Sequence, residues 1–301
     1  MDWTPNADHA GIYTGLNKGT FDRQGIRLEP QVPSDPAAVI KQVAAGRADL
    51  GVSYQNEVME ARDSGVKVKA IAAIVDRPLN SMIWLKKSGI KSIEDLKGRK
   101  IGTSGSYPST FLHVILAKAG LKPSDVKEVD VGYDLLPHLL AGKVDAVIGV
   151  YYNVEGVQLE LKGRPATITP VDKAGAPTYN ELVVIASEEF LKDGGRAESY
   201  RRFLAGLRDG TQAAIADPKL AADSLIKYAD DLGKDREFLD GSLKATLPVF
   251  EGAPGKPYGY MDPRIWTDFA DFMRDQGLLK NAPSPMNAHS NDYLPGNGPA
   301  Q

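Results

Sequence analysis

Two stretches of this chain gather side chains able to hold a polar ligand. Residues 44–57 read Ala-Ala-Gly-Arg-Ala-Asp-Leu-Gly-Val-Ser-Tyr-Gln-Asn-Glu, and residues 140–155 read Leu-Ala-Gly-Lys-Val-Asp-Ala-Val-Ile-Gly-Val-Tyr-Tyr-Asn-Val-Glu. Each gives the end of a helix, a glycine just past it, a basic residue, an aspartate and a short apolar strand closing on Gly-Val. Aromatic, amide and acidic groups follow. The post-helix glycine permits the left-handed turn that stops a helix. The polar groups then fall at the carboxyl-terminal edge of a strand, where open α/β sheets bind ligands. Two such junctions in one chain predict two similar lobes, each presenting one wall of a site. The competing reading is that Gly-(Arg/Lys)-x-Asp before a strand is ordinary helix-to-strand loop chemistry.

Catalytic groups are sparse. The chain has no cysteine, which removes thiol nucleophiles, thiolate metal sites and disulfides. Its four histidines (9, 113, 138 and 289) fall in unrelated contexts, and neither Gly-x-Ser-x-Gly nor His-Glu-x-x-His occurs. His9 has no second ligand at a helical spacing, so no metal site is expected. Residues 102–110, Gly-Thr-Ser-Gly-Ser-Tyr-Pro-Ser-Thr, lie between a strand and a helix. Amides and hydroxyls at such a helix start can hold an anion or a polar substituent. The stretch has the spacing of neither a nucleotide P-loop nor a dinucleotide fingerprint. It reads as part of the second wall or, equally, as a βα loop with a Ser/Thr cap.

The positioning elements alternate. Helices are predicted near 9–18, 35–45, 55–64, 109–119, 134–141 and 154–162. Between them lie short apolar runs: Ile26–Leu28, Leu50–Val52, Val68–Val75, Met82–Leu85, Lys100–Gly102, Val129–Val131 and Ala146–Val150. That alternation indicates βαβ units and mostly parallel sheets, an α/β fold. Beyond Leu182–Ala186 the chain reads as helices. Asp217-Pro218 and Asp262-Pro263 each place a cap before a proline in the first turn. Residues 281–301, rich in Pro, Asn, Ser and Gly, read as an irregular strap or a disordered tail. The expected division is lobe one over 1–79 and 180–301, with lobe two over 84–175. The crossovers near 78–83 and 176–182 would serve as hinges.

At 301 residues the length suits two domains. A net charge of −3 with both signs interspersed argues against a nucleic-acid partner. No apolar run is long enough to span a bilayer. Met1 runs directly into Asp-Trp-Thr-Pro-Asn, with no basic or apolar leader and no full strand before the first helix. Met1 therefore reads as a start residue added to a mature, exported chain; a cytoplasmic protein with a short first strand is the alternative.

These residues also carry a family resemblance. Asp2-Trp3-Thr4-Pro5-Asn6 with His9 and Gly11-Ile12-Tyr13, then Pro78-Leu79-Asn80-Ser81, resemble substrate-binding proteins for thiamin pyrimidine precursors. So do Ser92–Gly102 and Tyr151-Tyr152-Asn153-Val154-Glu155. The wider group includes alkanesulfonate and nitrate binders and the fungal thiamin-pyrimidine synthase. The likeness covers nearly the whole chain to about residue 280. It implies a two-lobed periplasmic-binding-protein type II fold with a helical C-terminal extension on lobe one. The implied function is the extracytoplasmic substrate-binding protein of an ABC importer, a monomer that closes on an aminopyrimidine and delivers it to a membrane permease. No catalysis, cofactor or metal is expected. Riboflavin or an alkanesulfonate- or nitrate-type ligand is the alternative, and the synthase a further one. Against the synthase, its cofactor lysine falls at Ser53, its sacrificed histidine at Glu57 and its cysteine cluster around 176–180.

An aminopyrimidine is flat and edged with donors and acceptors, so its site needs aromatic faces and a carboxylate or amide. Candidate faces are Trp3, Tyr54, Tyr107, Tyr151, Tyr152 and Tyr179. Asn6, His9, Ser81, Ser104, Ser106 and Asn153 are candidate polar contacts, while Asp8 reads as a helix cap. Glu155 is the candidate carboxylate, able to accept from an amino edge. Its alternative is a first-turn glutamate favoured by the helix dipole, the role preferred for Glu57.

Overall fold

The computed structural model describes residues 1–281 and 284–296. The chain forms two compact units, Met1–Arg77 with Tyr179–Gln301, and Pro78–Thr178. Eight strands occur among the described residues: β1 Gly51–Ser53, β2 Val68–Val75, β3 Asn80–Leu85, β4 Lys100–Thr103, β5 Lys127–Asp130, β6 Ala146–Tyr151, β7 Ala166–Pro170 and β8 Leu182–Ser187.

The first unit has a three-stranded sheet in the order β1-β8-β2, and both its pairings are antiparallel. That corrects the expectation of a mostly parallel sheet, and the reason is topological. β1 and β2, joined by the helix Gln55–Asp63, run the same way as a βαβ unit requires. β8 arrives later and inserts between them in the opposite sense. The second unit repeats the device. Its order is β5-β4-β6-β3-β7, with β4 parallel to β5 and β6, while β3 is antiparallel to β6 and β7. In each sheet the opposed strand is the first one after the chain enters the unit.

β2, β3 and β8 are buried almost throughout, as their mostly apolar sequences require. The second unit's core joins Ile83, Leu85, Val147 and Val150 to Leu135, Leu136, Leu139 and Leu159 from its helices. In the first unit Trp266, Phe269, Phe21 and Leu204 are fully buried. The two proline-primed helices start where the sequence placed them. Asp217 accepts from the Leu220 amide at 2.9 Å and Asp262 from the Arg264 amide at 2.9 Å.

Two local expectations change, and for the tail one of the two expected readings holds. Ile26–Leu28 runs straight but pairs with no strand among the described residues. Residues 166–170, too polar to read as a strand, form the edge strand β7. The described part of the tail is a packed strap. His289 bridges to Ala70, Leu294 is buried, and Asn291 accepts from the Met261 amide at 3.0 Å. Residues 282–283 and 297–301 of that predicted tail lie outside the described residues. No helix among the described residues is long and apolar enough to cross a membrane.

Candidate functional site

In the first unit, polar side chains collect where β1 ends. Asp2 is buried, and its Oδ1 lies 2.8 Å from His9 Nε2 while Oδ2 accepts from the Tyr54 hydroxyl at 2.9 Å. His9 Nδ1 accepts from the Asn6 amide at 3.2 Å, which assigns the ring proton to Nε2 and makes His9 a donor to Asp2. Burial pushes the Asp2 carboxyl up, but the bonds from His9 and Tyr54 outweigh it and hold the group below the usual aspartate value. Burial, and then the Asp2 charge, drive the Tyr54 phenol up, so it stays a donor. One turn along, Ser53 donates to Glu57 at 2.6 Å. Burial raises the Glu57 carboxyl against that bond.

The second unit builds its counterpart from β6. Tyr151 ends the strand, and Tyr152–Gly156 form a π-turn that passes into the helix Val157–Leu161. Sequence reading placed an ordinary helix over this turn. Such π-insertions cluster at functional sites because they re-aim side chains. Glu155 Oε2 accepts from the Tyr151 amide at 2.8 Å, and burial raises its carboxyl despite that bond. Gly149 has φ +98°, a conformation that disfavours side chains, and a Cβ there would lie 2.9 Å from Ser104 Oγ and 3.1 Å from Pro108 Cγ. That close approach seats the loop before the helix Ser106–Lys118 against β6.

The candidate residues therefore separate. Tyr54 sits in the first cluster and Tyr151, Glu155 and Ser104 in the second. Trp3 is about half exposed, at 48%. Tyr152 is half-buried and donates its amide to Leu79 O at 3.2 Å. Tyr107 is half-buried with its ring edge-on to Phe111 at 4.8 Å. Ser106 begins its helix, and its side chain lies outside the described residues.

Five placements differ from expectation. His9 is fully buried, with both ring nitrogens engaged, so it orients Asp2 instead of offering an edge. Asn6, not Asp8, is the cap: its Oδ1 accepts from the Asp8 amide at 2.8 Å and its Nδ2 donates to Thr4 O at 3.3 Å. Tyr179 is fully buried, packed on Phe269 at 5.0 Å with its hydroxyl on Glu181 at 3.0 Å. Asn153 is enclosed by the π-turn, and Ser81 is buried with its hydroxyl on Leu79 O at 2.9 Å. Asn6 is held by its cap bonds, and in the other four the side chain is drawn into packing that linear spacing does not reveal.

Sequence reasoning also passed over residues. Asp2 is the centre of its cluster, yet nothing in the spacing of positions 2, 9 and 54 joins them. Ser81, and not its neighbour Asn80, is the candidate the sequence offers on β3. Strand neighbours face opposite ways. Asn80 is the one that accepts from the Gly149 amide, at 3.2 Å, and lies opposite Tyr151 in register. Asn180 is a hub: its amide donates to Gln55 at 2.7 Å, its Nδ2 to Asp76 O at 3.0 Å, and its Oδ1 accepts from Trp266 at 2.9 Å. Among the described residues no group of three His, Cys, Asp or Glu is placed to hold a metal.

A family model described as "NMT1/THI5 like" matches residues 6–221. A Haemophilus influenzae protein named for thiamine biosynthesis is 34% identical over 284 residues, covering 94% of this chain and 87% of that one. A formylaminopyrimidine-binding protein of Halalkalibacterium halodurans is 30% identical, covering 91% and 83%. A 4-amino-5-hydroxymethyl-2-methylpyrimidine phosphate synthase of Saccharomyces cerevisiae is 26% identical, covering 98% and 86%. Among solved structures, the periplasmic aliphatic sulphonate binding protein SsuA of Escherichia coli superposes with TM-score 0.73 at 14% identity, covering 98% and 92%. The chain thus has the periplasmic-binding-protein fold.

Proposed function

We propose, from the premise that the chain belongs to the NMT1/THI5-like family, that it is the extracytoplasmic substrate-binding protein of an ABC importer and carries an aminopyrimidine related to thiamin. Each unit supplies one ligand-binding wall, and closure on the ligand is the signal to a membrane permease.

The observation that carries the reading is Glu155 on its π-turn. The Tyr151 amide fixes the carboxylate at the end of β6, beside an aromatic side chain. A fixed carboxylate accepts from an amino-substituted ring edge and rejects analogues lacking the donor, because its lone pairs would then be left unpaired. Neither Gly51–Glu57 nor Gly149–Glu155 contains Lys or Arg, which disfavours a sulfonate or nitrate at these edges. The non-catalytic part of the reading rests on Ser53 and Glu57. They stand where the resemblance places the synthase's lysine and histidine, and they are spent on each other at 2.6 Å.

A thermal-shift screen of aminopyrimidines, riboflavin and alkanesulfonates tests the assignment. A clear shift with an aminopyrimidine, weakened about tenfold (~1.4 kcal/mol) by Glu155→Gln, is expected. A shift with riboflavin or a sulfonate alone overturns the ligand and leaves the fold standing.

A further inference from the structure

Within the second unit, β3 and β6 do not pair evenly. Asn80 lies opposite Tyr151 and Ser81 opposite Val150, but Met82 lies opposite Ile148 and Ile83 opposite Val147. One residue of β6, Gly149, is therefore extra, which makes it a β-bulge. Core packing agrees with that slip. Val147 and Val150 join one cluster with Ile83 and Leu85, although residues three apart in a regular strand face opposite ways. Strict alternation from Val147 would aim Tyr151 at that cluster. The bulge turns Tyr151 to the other face, which it shares with Asn80 and where it is half-buried.

Two features hold the bulge. Gly149 supplies its φ of +98°, which side chains disfavour. The bulge also takes the Gly149 amide out of the ladder, and the Asn80 carboxamide replaces the lost acceptor, with Oδ1 3.2 Å from that amide. The consequence reaches the carboxylate. Two residues on, the Tyr151 amide donates to Glu155 at 2.8 Å, and the Tyr152 amide donates to Leu79 O at 3.2 Å. A strand one residue out of step would offer the wrong amides to both acceptors.

We propose that Asn80 is a positioning residue for ligand recognition. By holding the Gly149 bulge it sets the face of Tyr151 and the aim of the Glu155 carboxylate, and it acts through them without touching the ligand. The inference rests on the reading of Tyr151 and Glu155 as ligand contacts.

Amide exchange and calorimetry on the full chain test it together. In the unmutated protein the Gly149 amide should be protected about a hundredfold or more, and an unprotected amide overturns the proposal even if no variant folds. Asn80→Ala should speed exchange at Gly149 and Tyr151 about tenfold or more. Under conditions where it is fully folded, it should also weaken binding of an aminopyrimidine about fivefold or more. Asn80→Asp keeps an oxygen at the same reach, so it should retain the Gly149 protection and bind within about twofold of the unmutated protein. Unchanged exchange in Asn80→Ala overturns the proposal, and weakened binding with unchanged exchange would make Asn80 a direct ligand contact instead. Faster exchange with unchanged affinity also overturns it, leaving the bulge a purely structural feature. If the unmutated protein binds no aminopyrimidine, the ligand reading fails, and the exchange results alone decide whether Asn80 holds the junction.

Discussion

The junctions Gly51–Glu57 and Gly149–Glu155 begin from nearly the same pattern and solve it differently. In both, the glutamate reaches back four residues, and in both burial raises its carboxyl. Glu57 takes a side-chain hydroxyl, from Ser53, within the regular helix Gln55–Asp63. Glu155 takes a backbone amide, from Tyr151, within a π-turn. The first junction leans on an Asp2–His9–Tyr54 triad built on a buried Asp2–His9 pair. The second leans on a glycine with positive φ that lets the Ser104 loop close in. A repeated sequence pattern thus fixes where the polar groups collect. The residues outside the repeat decide how those groups are held.

The largest effect should come from the support that only the first junction has. Asp2→Ala strands the buried His9 Nε2–H and the half-buried Tyr54 hydroxyl, and should cost about 3 kcal/mol in chemical denaturation. The same variant tests a pH effect. The folded Asp2 pKa lies below its unfolded value, so its stabilisation is present above about pH 3.9 and lost as pH falls through the folded pKa. Asp2→Ala should remove that acid-limb loss, and a loss of under about 1 kcal/mol at neutral pH would show that the triad does not hold the first junction.

Next in size is the glycine pair. Gly149→Ala meets both a strained φ and the Ser104–Pro108 contact, and should cost about 2–3 kcal/mol. Gly51→Ala, with a Cβ 2.9 Å from Val43 and no positive φ, is only overpacked, at about 1–2 kcal/mol. Equal losses would erase the distinction between the junctions.

Ligand affinity separates the two glutamates. Glu155→Gln should weaken aminopyrimidine binding about tenfold in calorimetry, against less than about threefold for Glu57→Gln. The reverse order would move the recognition carboxylate to the first unit. Smallest is the pH dependence of binding. Because burial raises the Glu155 pKa, affinity should begin to fall, as pH drops from 7, above the range where an ordinary glutamate protonates near 4.3. A flat profile in Glu155→Gln would confirm the assignment. The sign for stability is opposite: a raised folded pKa gives a contribution fully present below about pH 4.3 and lost as pH rises from there through the folded pKa.

Most of the strand and helix order could be read from the chain, since apolar runs, caps before prolines and post-helix glycines are local signals. The alternation of β1, Gln55–Asp63 and β2 was legible for that reason, and so were the two junctions themselves. β8 between β1 and β2 was not, because the sense in which a returning strand pairs is set by the topology of the whole unit. The same holds at the site. Sequence alone named Tyr54, Ser104, Tyr151 and Glu155 from their place at strand ends. It could not see that Asp2 joins His9 to Tyr54, that Asn80 rather than Ser81 reaches Gly149, or that Tyr179 and Asn153 turn inward. Those outcomes depend on contacts between residues far apart in the chain, where hydrogen-bond satisfaction and close packing, absent from any local window, choose the partner.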